Sequence, residues 1–306
     1  MNHKQFYATG QAQLQIGVSP LSWVNEVLPE FGMGVSAEQC LSQARQAGYQ
    51  GVEMSRIFPR GPAQLTQLLQ RYQLSLISGW FDGFLTERSV EDELNAVEAH
   101  AKLLQACGCQ VMVYGECGWM ADNALDIPFS NRRLLPVEQR KSYAQKLTSF
   151  SQQLYQRYGL YLAYHHHLMM VAESFDEIHS IISQCGEEVG LLLDTGHAAA
   201  AGFNYQYLIN EFASRICHIH LKDVRKEVLQ KVQTDQQGFN DGVRRGMFTI
   251  PGDGCIDYQP LATFLHGSGY QGWIVVEAEQ NPQMAPPYET VARAYQYVTQ
   301  HILTRN

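Results

Sequence analysis

Leu191-Leu192-Leu193-Asp194-Thr195-Gly196-His197 runs three apolar residues straight into an acid, a turn and a histidine. An apolar run that short reads as a strand buried on both faces, the habit of strands in parallel sheets. A carboxylate at its C-terminal end must be solvated, paired or bound to a metal. The pattern recurs in Leu162-Ala163-Tyr164-His165-His166-His167, in Ile216-Cys217-His218-Ile219-His220-Leu221-Lys222-Asp223 and in Trp273-Ile274-Val275-Val276-Glu277. Four strand-like runs, each ending in a metal-ligating residue type, predict one ring of parallel strands around one metal site.

Outward from these runs, strands and helices alternate along the chain. Gln15 to Val18 precedes a helix capped by Ser36, with Gln39 at its third position and Gly48 beyond its end. Strands at Gly51 to Met54, Leu74 to Ser78 and Val111 to Tyr114 each lead to a helical pattern. The first of those helices opens at Pro62, the second at Ser89 ahead of Glu91, Asp92 and Glu93, and the third runs from Pro136 to about Tyr158. The second half repeats the cycle, with a Ser174-x-x-Glu177 capping box after Tyr161 to His165. Eight strand–helix pairs without a Ser/Gly-rich linker predict an α/β protein, a closed (β/α)8 TIM barrel. It is read as one domain over residues 1–306, with residues 1–14 as an N-terminal extension. An open doubly wound sheet would need a glycine-rich phosphate turn after a strand, and none is present. The long connections Gly115 to Leu135 and Asp223 to Thr249 are expected to be functional loops on the C-terminal face.

At 306 residues, 45% hydrophobic and 17% charged, the chain can bury a large core and is not compositionally disordered. A net charge of −8 argues against duplex nucleic acid as a partner. No apolar run reaches membrane-span length, so no membrane partner is expected. The polar segment Met1 to Ile16 lacks a signal core, which gives a cytoplasmic expectation. The seven cysteines show no framework spacing and read as reduced thiols.

His165, Asp194, His220 and Glu277 end strands five to eight and should meet at one half of the barrel mouth. Two imidazoles and two carboxylates suit manganese, cobalt or zinc better than calcium. Strand alternation places His165 and His167 on one side and His166 behind the barrel. His165 sits at the strand end proper, while His167 is free to hold substrate. His197 reads as a proton carrier or a hydrogen-bonded support, and His218 as a deeper group facing as His220 does. Lys222 beside a metal should have a lowered pKa and could move a proton; the plainer reading is a salt bridge across the rim. Glu53 and Glu116 end strands two and four, opposite the metal, as hydroxyl contacts or acid–base groups, or as carboxylates paired with Arg56 or Arg60. Trp23, Trp80 and Phe81 could wall a polar ring.

These motifs resemble the xylose-isomerase-like TIM barrels. Tyr164-His165-His166-His167, His218 to Arg225, Pro251-Gly252-Asp253-Gly254 and Val275 to Gln280 are similar in particular to the inosose dehydratases of inositol catabolism, from about Ile16 to the last helix. The resemblance implies metal ligation by Asp194, His220 and Glu277. The superfamily's usual first ligand, a glutamate after strand five, is replaced by histidines, which leaves His165 or His167 as the fourth. It implies manganese or cobalt and associates glutathione with activity. The implied reaction is loss of water from 2-keto-myo-inositol (scyllo-inosose), by way of an enediolate, to 3D-(3,5/4)-trihydroxycyclohexane-1,2-dione. Lys222, His197, His167 and Glu116 are the expected proton carriers, and Trp23, Glu53, Asp223 and Glu279 the expected substrate contacts. The partner is then a small polyhydroxylated cyclic ketone, with homo-oligomerisation left open. A ketose isomerase or epimerase with the same metal is the alternative.

Overall fold

The computed structural model describes Phe6, Tyr7 and residues 14–304. Most of the expected N-terminal extension, 1–14, therefore lies outside the described residues. In chain order the first half consists of β1 (Gln15–Val18), α1 (Ala37–Ala47), β2 (Gly51–Glu53), α2 (Pro62–Arg71), β3 (Ser75–Ser78), β4 (Trp80–Gly83), α3 (Val90–Ala106), β5 (Val111–Glu116) and α4 (Val137–Tyr158). Next come β6 (Tyr161–His165), α5 (Phe175–Ile182), β7 (Val189–Asp194), α6 (Thr195–Ala200), α7 (Gln206–Phe212) and β8 (Ile216–Leu221). The chain then forms β9 (Asp223–Val224), α8 (Lys226–Thr234), α9 (Phe239–Arg244), β10 (Phe248–Thr249), α10 (Gln259–Ser268), β11 (Trp273–Val276) and α11 (Pro287–Tyr297).

Nine strands form one sheet in the order β3-β2-β1-β11-β8-β7-β6-β5-β4. All of its pairings are parallel. Its two ends, β3 and β4, are consecutive in sequence and flank Gly79, so they are the halves of one bent strand. Met54 N donates to Ser78 O and Val113 N to Gly79 O, which joins the bend to both neighbours and closes the ring. The eight barrel positions expected from the alternation are present, the third of them broken in two. The barrel's first strand is bonded to its last, with Gln15 opposite Trp273 and Val18 opposite Val276.

The helices pack their apolar stripes on the outside of this ring: Cys40, Leu41 and Ala44 from α1, and Leu147, Phe150 and Leu154 from α4, are all fully buried. Ser36 and Ser89 accept from the backbone N–H of Gln39 and Asp92, and Ser174 and Glu177 cap each other reciprocally. Inside the ring, period-two alternation puts Trp273 and Val275 on the face of Glu277, His218 on that of His220, and Leu192 on that of Asp194. The floor is therefore apolar and the charged groups collect at the C-terminal ends.

Two expectations need correction. The connection from Asp223 to Thr249 is not an open loop: β9 pairs antiparallel with β10, and α8 and α9 lie between them. Phe239 and Val243 of α9 join Leu28, Phe31, Leu168 and Phe248 in an apolar cluster separate from the barrel core. Asn240 N bonds to Leu125 O and its side chain to Asp126, tying this excursion to the other long connection. The second correction is α6, which begins directly on the end of β7, with Asp194 as its cap and acceptor of the His197 N–H. Among the described residues, no helix is long and apolar enough to cross a membrane.

The packed floor makes a test. A Cβ at Gly51 would strike the Ile77 side chain and lie 3.0 Å from Trp273 and 3.1 Å from Ser75 O, whereas one at Gly267, in α10, would meet nothing within 4 Å. Gly51→Ala is expected to lower stability by about 1–3 kcal/mol. Gly267→Ala is expected to raise it by up to about 1 kcal/mol. Parallel denaturant unfolding of the two variants checks both signs.

Candidate active site

The ends of β6, β7, β8 and β11 are neighbours in the sheet, and Asp194 stands directly opposite His220. The ligating atoms of His165, Asp194, His220 and Glu277, all buried, lie within 4.8 Å of one another. His165 Nε2 is 3.5 Å and His220 Nδ1 3.7 Å from Asp194 Oδ2, and His220 Nδ1 abuts Glu277 Oε2.

Hydrogen bonds fix which imidazole atoms are free to ligate. His165 Nδ1 lies 2.7 Å from the His166 carbonyl, which only accepts, so the proton is on Nδ1 and the Nε2 lone pair faces the cluster. His220 Nε2 is 3.0 Å from Glu53 Oε1, which leaves Nδ1 facing Asp194 and Glu277. A carboxylate behind a histidine is the usual support of a metal-ligating imidazole. Asp194 Oδ2, His220 Nδ1 and Glu277 Oε2 are buried without a hydrogen-bond partner. Three buried carboxylates (Asp194, Glu277 and Glu279) act on one buried ammonium, Lys222, and a fourth, Glu53, lies against His218 and His220. Orphaned donor atoms of mixed nitrogen and oxygen type, with surplus negative charge, fit a divalent transition ion.

Around this cluster, Glu53 binds His218 and His220, each at 3.0 Å, and accepts from Ser78 Oγ at 2.6 Å. Burial works against its charge, but His220 and His218 hold it well below the usual carboxylate range. Lys222 Nζ lies 3.0 Å from Glu277, 3.1 Å from Glu279 and 3.0 Å from His197 Nε2. Glu277 is held at about 2, because Lys222 and His220 outweigh its burial. Glu279 is pushed upward by burial that Lys222 does not fully offset. The rings of His167 and His197 are tilted against each other with centroids 3.8 Å apart, and burial lowers His167 to about 3. His167 Nδ1 is bound to Leu168 O at 2.7 Å, so its Nε2 carries a lone pair.

A cavity of about 440 Å³ opens over the cluster and is lined by His165, His167, His220, Glu53, Glu277 and Glu279, with Trp80 at its side. Met120 and Leu125 from one long connection and Phe239 from the other also line it, which the sequence pattern did not single out. Ser78, which orients Glu53, was likewise missed; a serine at a strand end carries no signal of its own. His166 lies behind the strands as expected, its Nε2 accepting from Asp194 N.

Several expected site residues are placed elsewhere. Trp23 is fully buried in the core, and its indole N–H donates to Gln43 of α1. Glu116 points away from the cavity and binds Tyr114, Thr86 and the Leu85 and Gly118 N–H groups. Asp223 is folded into its own loop, accepting from the N–H groups of Val224, Gly252 and Ile256. Glu53 stands beside His220 rather than opposite the metal cluster, and it is not paired with Arg56 or Arg60. Among the protein's own groups the Lys222 pKa is raised: burial alone would depress it, but Glu277, Glu279 and Asp194 hold the ammonium charged.

Residues 41–298 match the family described as xylose isomerase-like TIM barrel. The chain belongs to that family. It is 36% identical over 288 residues to an inosose dehydratase of Clostridium beijerinckii, covering 94% of this chain and 96% of the relative. It is 40% identical over 274 residues to the rhizopine catabolism protein MocC of Rhizobium meliloti, covering 90% and 84%. Within the xylose isomerase-like TIM barrels it thus groups with the inosose dehydratases and is a hydro-lyase. Among solved structures, the IolI protein with a bound zinc atom superposes with a TM-score of 0.65 at 15% identity, over 94% of this chain and 96% of that one. At that identity the likeness is one of fold.

Gly196, in the first turn of α6, tests how tightly Lys222 is held. A Cβ there would sit 2.5 Å from Lys222 Cγ, 2.6 Å from Cβ and 2.9 Å from Cδ. Gly196→Ala is therefore expected to push the ammonium off Glu277 and Glu279. Turnover should fall by about tenfold or more, with circular dichroism unchanged.

Proposed function

We propose that the chain dehydrates a polyhydroxylated cyclic ketone, scyllo-inosose (2-keto-myo-inositol), to the trihydroxycyclohexane-1,2-dione. The observation that carries this reading is the unbonded ligand cluster at the floor of a cavity lined by His167 and Glu279, with Lys222 bonded behind Glu279. His165, Asp194, His220 and Glu277 would hold a divalent ion, with manganese or cobalt suited to the donor set. Such an ion supplies Lewis-acid stabilisation of the charge that develops on the ketone oxygen.

The protein's own groups account for the proton movements. His167 is neutral at physiological pH and aims its Nε2 lone pair away from the Leu168 carbonyl; it takes the proton from the ring carbon beside the ketone. The electron pair of that C–H bond forms a double bond to the next carbon as its hydroxyl leaves, and the resulting enol tautomerises to the dione. Lys222, held as an ammonium, donates the proton that turns the departing hydroxide into water. His197, its ring centroid 3.8 Å from that of His167 and its Nε2 3.0 Å from Lys222 Nζ, holds the two in place; the proton gained by His167 and the one lost by Lys222 exchange with water as product leaves. Glu279 anchors the Lys222 amine through this cycle.

Incubation with scyllo-inosose should generate dione absorbance; interconversion of ketoses without dione would overturn the reading in favour of an isomerase. Chelation should abolish the activity and manganese or cobalt restore it, whereas full activity in metal-free protein would remove the metal from the reading. Lys222→Met should keep bound metal, measured by elemental analysis, and lower kcat about a hundredfold or more. A raised KM with near-normal kcat would make Lys222 a binding contact only.

A further inference from the structure

Beside the cluster of His165, Asp194, His220 and Glu277, another group of ligand-type side chains lies at the same end of the barrel. His167, His197 and Glu279 each bring one ligand atom within 4.8 Å of the others. By residue type this group would suit a transition ion as the first does. A further group, Glu53, His218 and His220, is already joined by its own hydrogen bonds. What stands against an ion at His167, His197 and Glu279 is Lys222, fully buried beside them. Its Nζ is 3.0 Å from His197 Nε2 and 3.1 Å from Glu279 Oε2, two of the three members. It also lies 4.7 Å from the ring centroid of Phe248, so an aromatic ring backs the amine. A Cβ at Gly196 would press on the lysine stem, which leaves that stem little room to withdraw.

Glu277 joins the two groups. Its Oε2 abuts His220 Nδ1 in the first cluster, while its Oε1 is 3.0 Å from Lys222 Nζ. A carboxylate that turns one oxygen to each of two cations is the arrangement that bridges a two-metal site, and here the second cation is an amine. We infer that Lys222 occupies a second cation position and limits the chain to one divalent ion. This rests on the metal part of the dehydratase reading and deepens it. Two ions together clamp the attacking and leaving oxygens of a phosphodiester. One ion beside an ammonium can polarise a ketone and also give a proton to a leaving hydroxide, which a second ion in that place could not. The place of the amine therefore favours a neutral polyhydroxylated ketone over a phosphodiester.

Manganese titration of the metal-free protein, with elemental analysis after desalting, should give one ion per chain in the parent even with manganese in excess. Lys222→Ala removes the amine and empties its space, and should hold two. Electron paramagnetic resonance supplies a second readout: two manganese ions bridged by Glu277 couple magnetically, so a coupled spectrum should replace that of an isolated ion. Adding Glu279→Ala to Lys222→Ala should return the count to one. Lys222→Ser carries the same comparison if Lys222→Ala fails to fold. A second ion in the parent would overturn the proposal, and that result needs no variant. One ion in a folded Lys222→Ala would overturn it too, as would a second ion that survives Glu279→Ala. Each of these outcomes leaves the first ion, and with it the dehydratase reading, in place. A parent that takes up no ion would instead bring down the metal part of that reading, and this inference with it.

Discussion

Burying charge is the constraint around which the barrel is arranged. Glu53, Asp194, Glu277 and Glu279 are removed from water at one end of the ring, and an isolated buried carboxylate is far costlier than any single contact can offset. Lys222 answers part of that cost by touching Glu277 and Glu279 together. The imidazoles answer another part: Glu53 is held ionised between His218 and His220. What is left unanswered sits on Asp194, His220 and Glu277, whose facing atoms have no hydrogen-bond partner. The chemistry proposed for the site depends on that residual demand for a cation, and so does the position of nearly every polar group around it.

The apolar floor is the counterpart of this charged mouth. Trp273 and Ile77 close the space above Gly17 and Gly51, so the strands are packed solid below the level where the carboxylates begin. A solid floor limits solvent to one side and lowers the local dielectric, which strengthens each ionic contact above it. The roof comes from two separate connections joined through Leu125, Asp126 and Asn240, so the cavity is bounded by elements distant in sequence.

Much of this was legible because barrel strands deliver their polar groups at fixed places. Leu191 to Asp194 and Trp273 to Glu277 announce both a strand and the polar group that it delivers, and the four side chains read as candidate ligands lie together. Parity along the strand separated His165 from His166. The same parity turns Asp223 away from Lys222, its neighbour, and sets Glu116 on the face opposite Val113, which lines the cavity. Those two were misplaced because strand-end position was weighed and side-chain direction was not. Trp23 is different: what removes it from the cavity is a hydrogen bond to Gln43, twenty residues away on another element, and no local pattern encodes that. The sign of the Lys222 shift was hidden for a similar reason, since it depends on Glu277 and Glu279 arriving from β11 and the loop beyond it.

The pairing of β1 with β11 has a bearing on how the molecule is made. During synthesis the first strand emerges early, yet its partner is the last of the ring to appear. Until Trp273 to Val276 is available, the growing sheet carries two unpaired edges of highly apolar sequence, the kind of surface that recruits other chains. Glu277 follows that strand directly, so the final stave of the barrel and the final member of the polar cluster arrive together. A nascent chain that stalls before this point has neither a closed wall nor a complete polar cluster, and chaperone demand should concentrate in that interval.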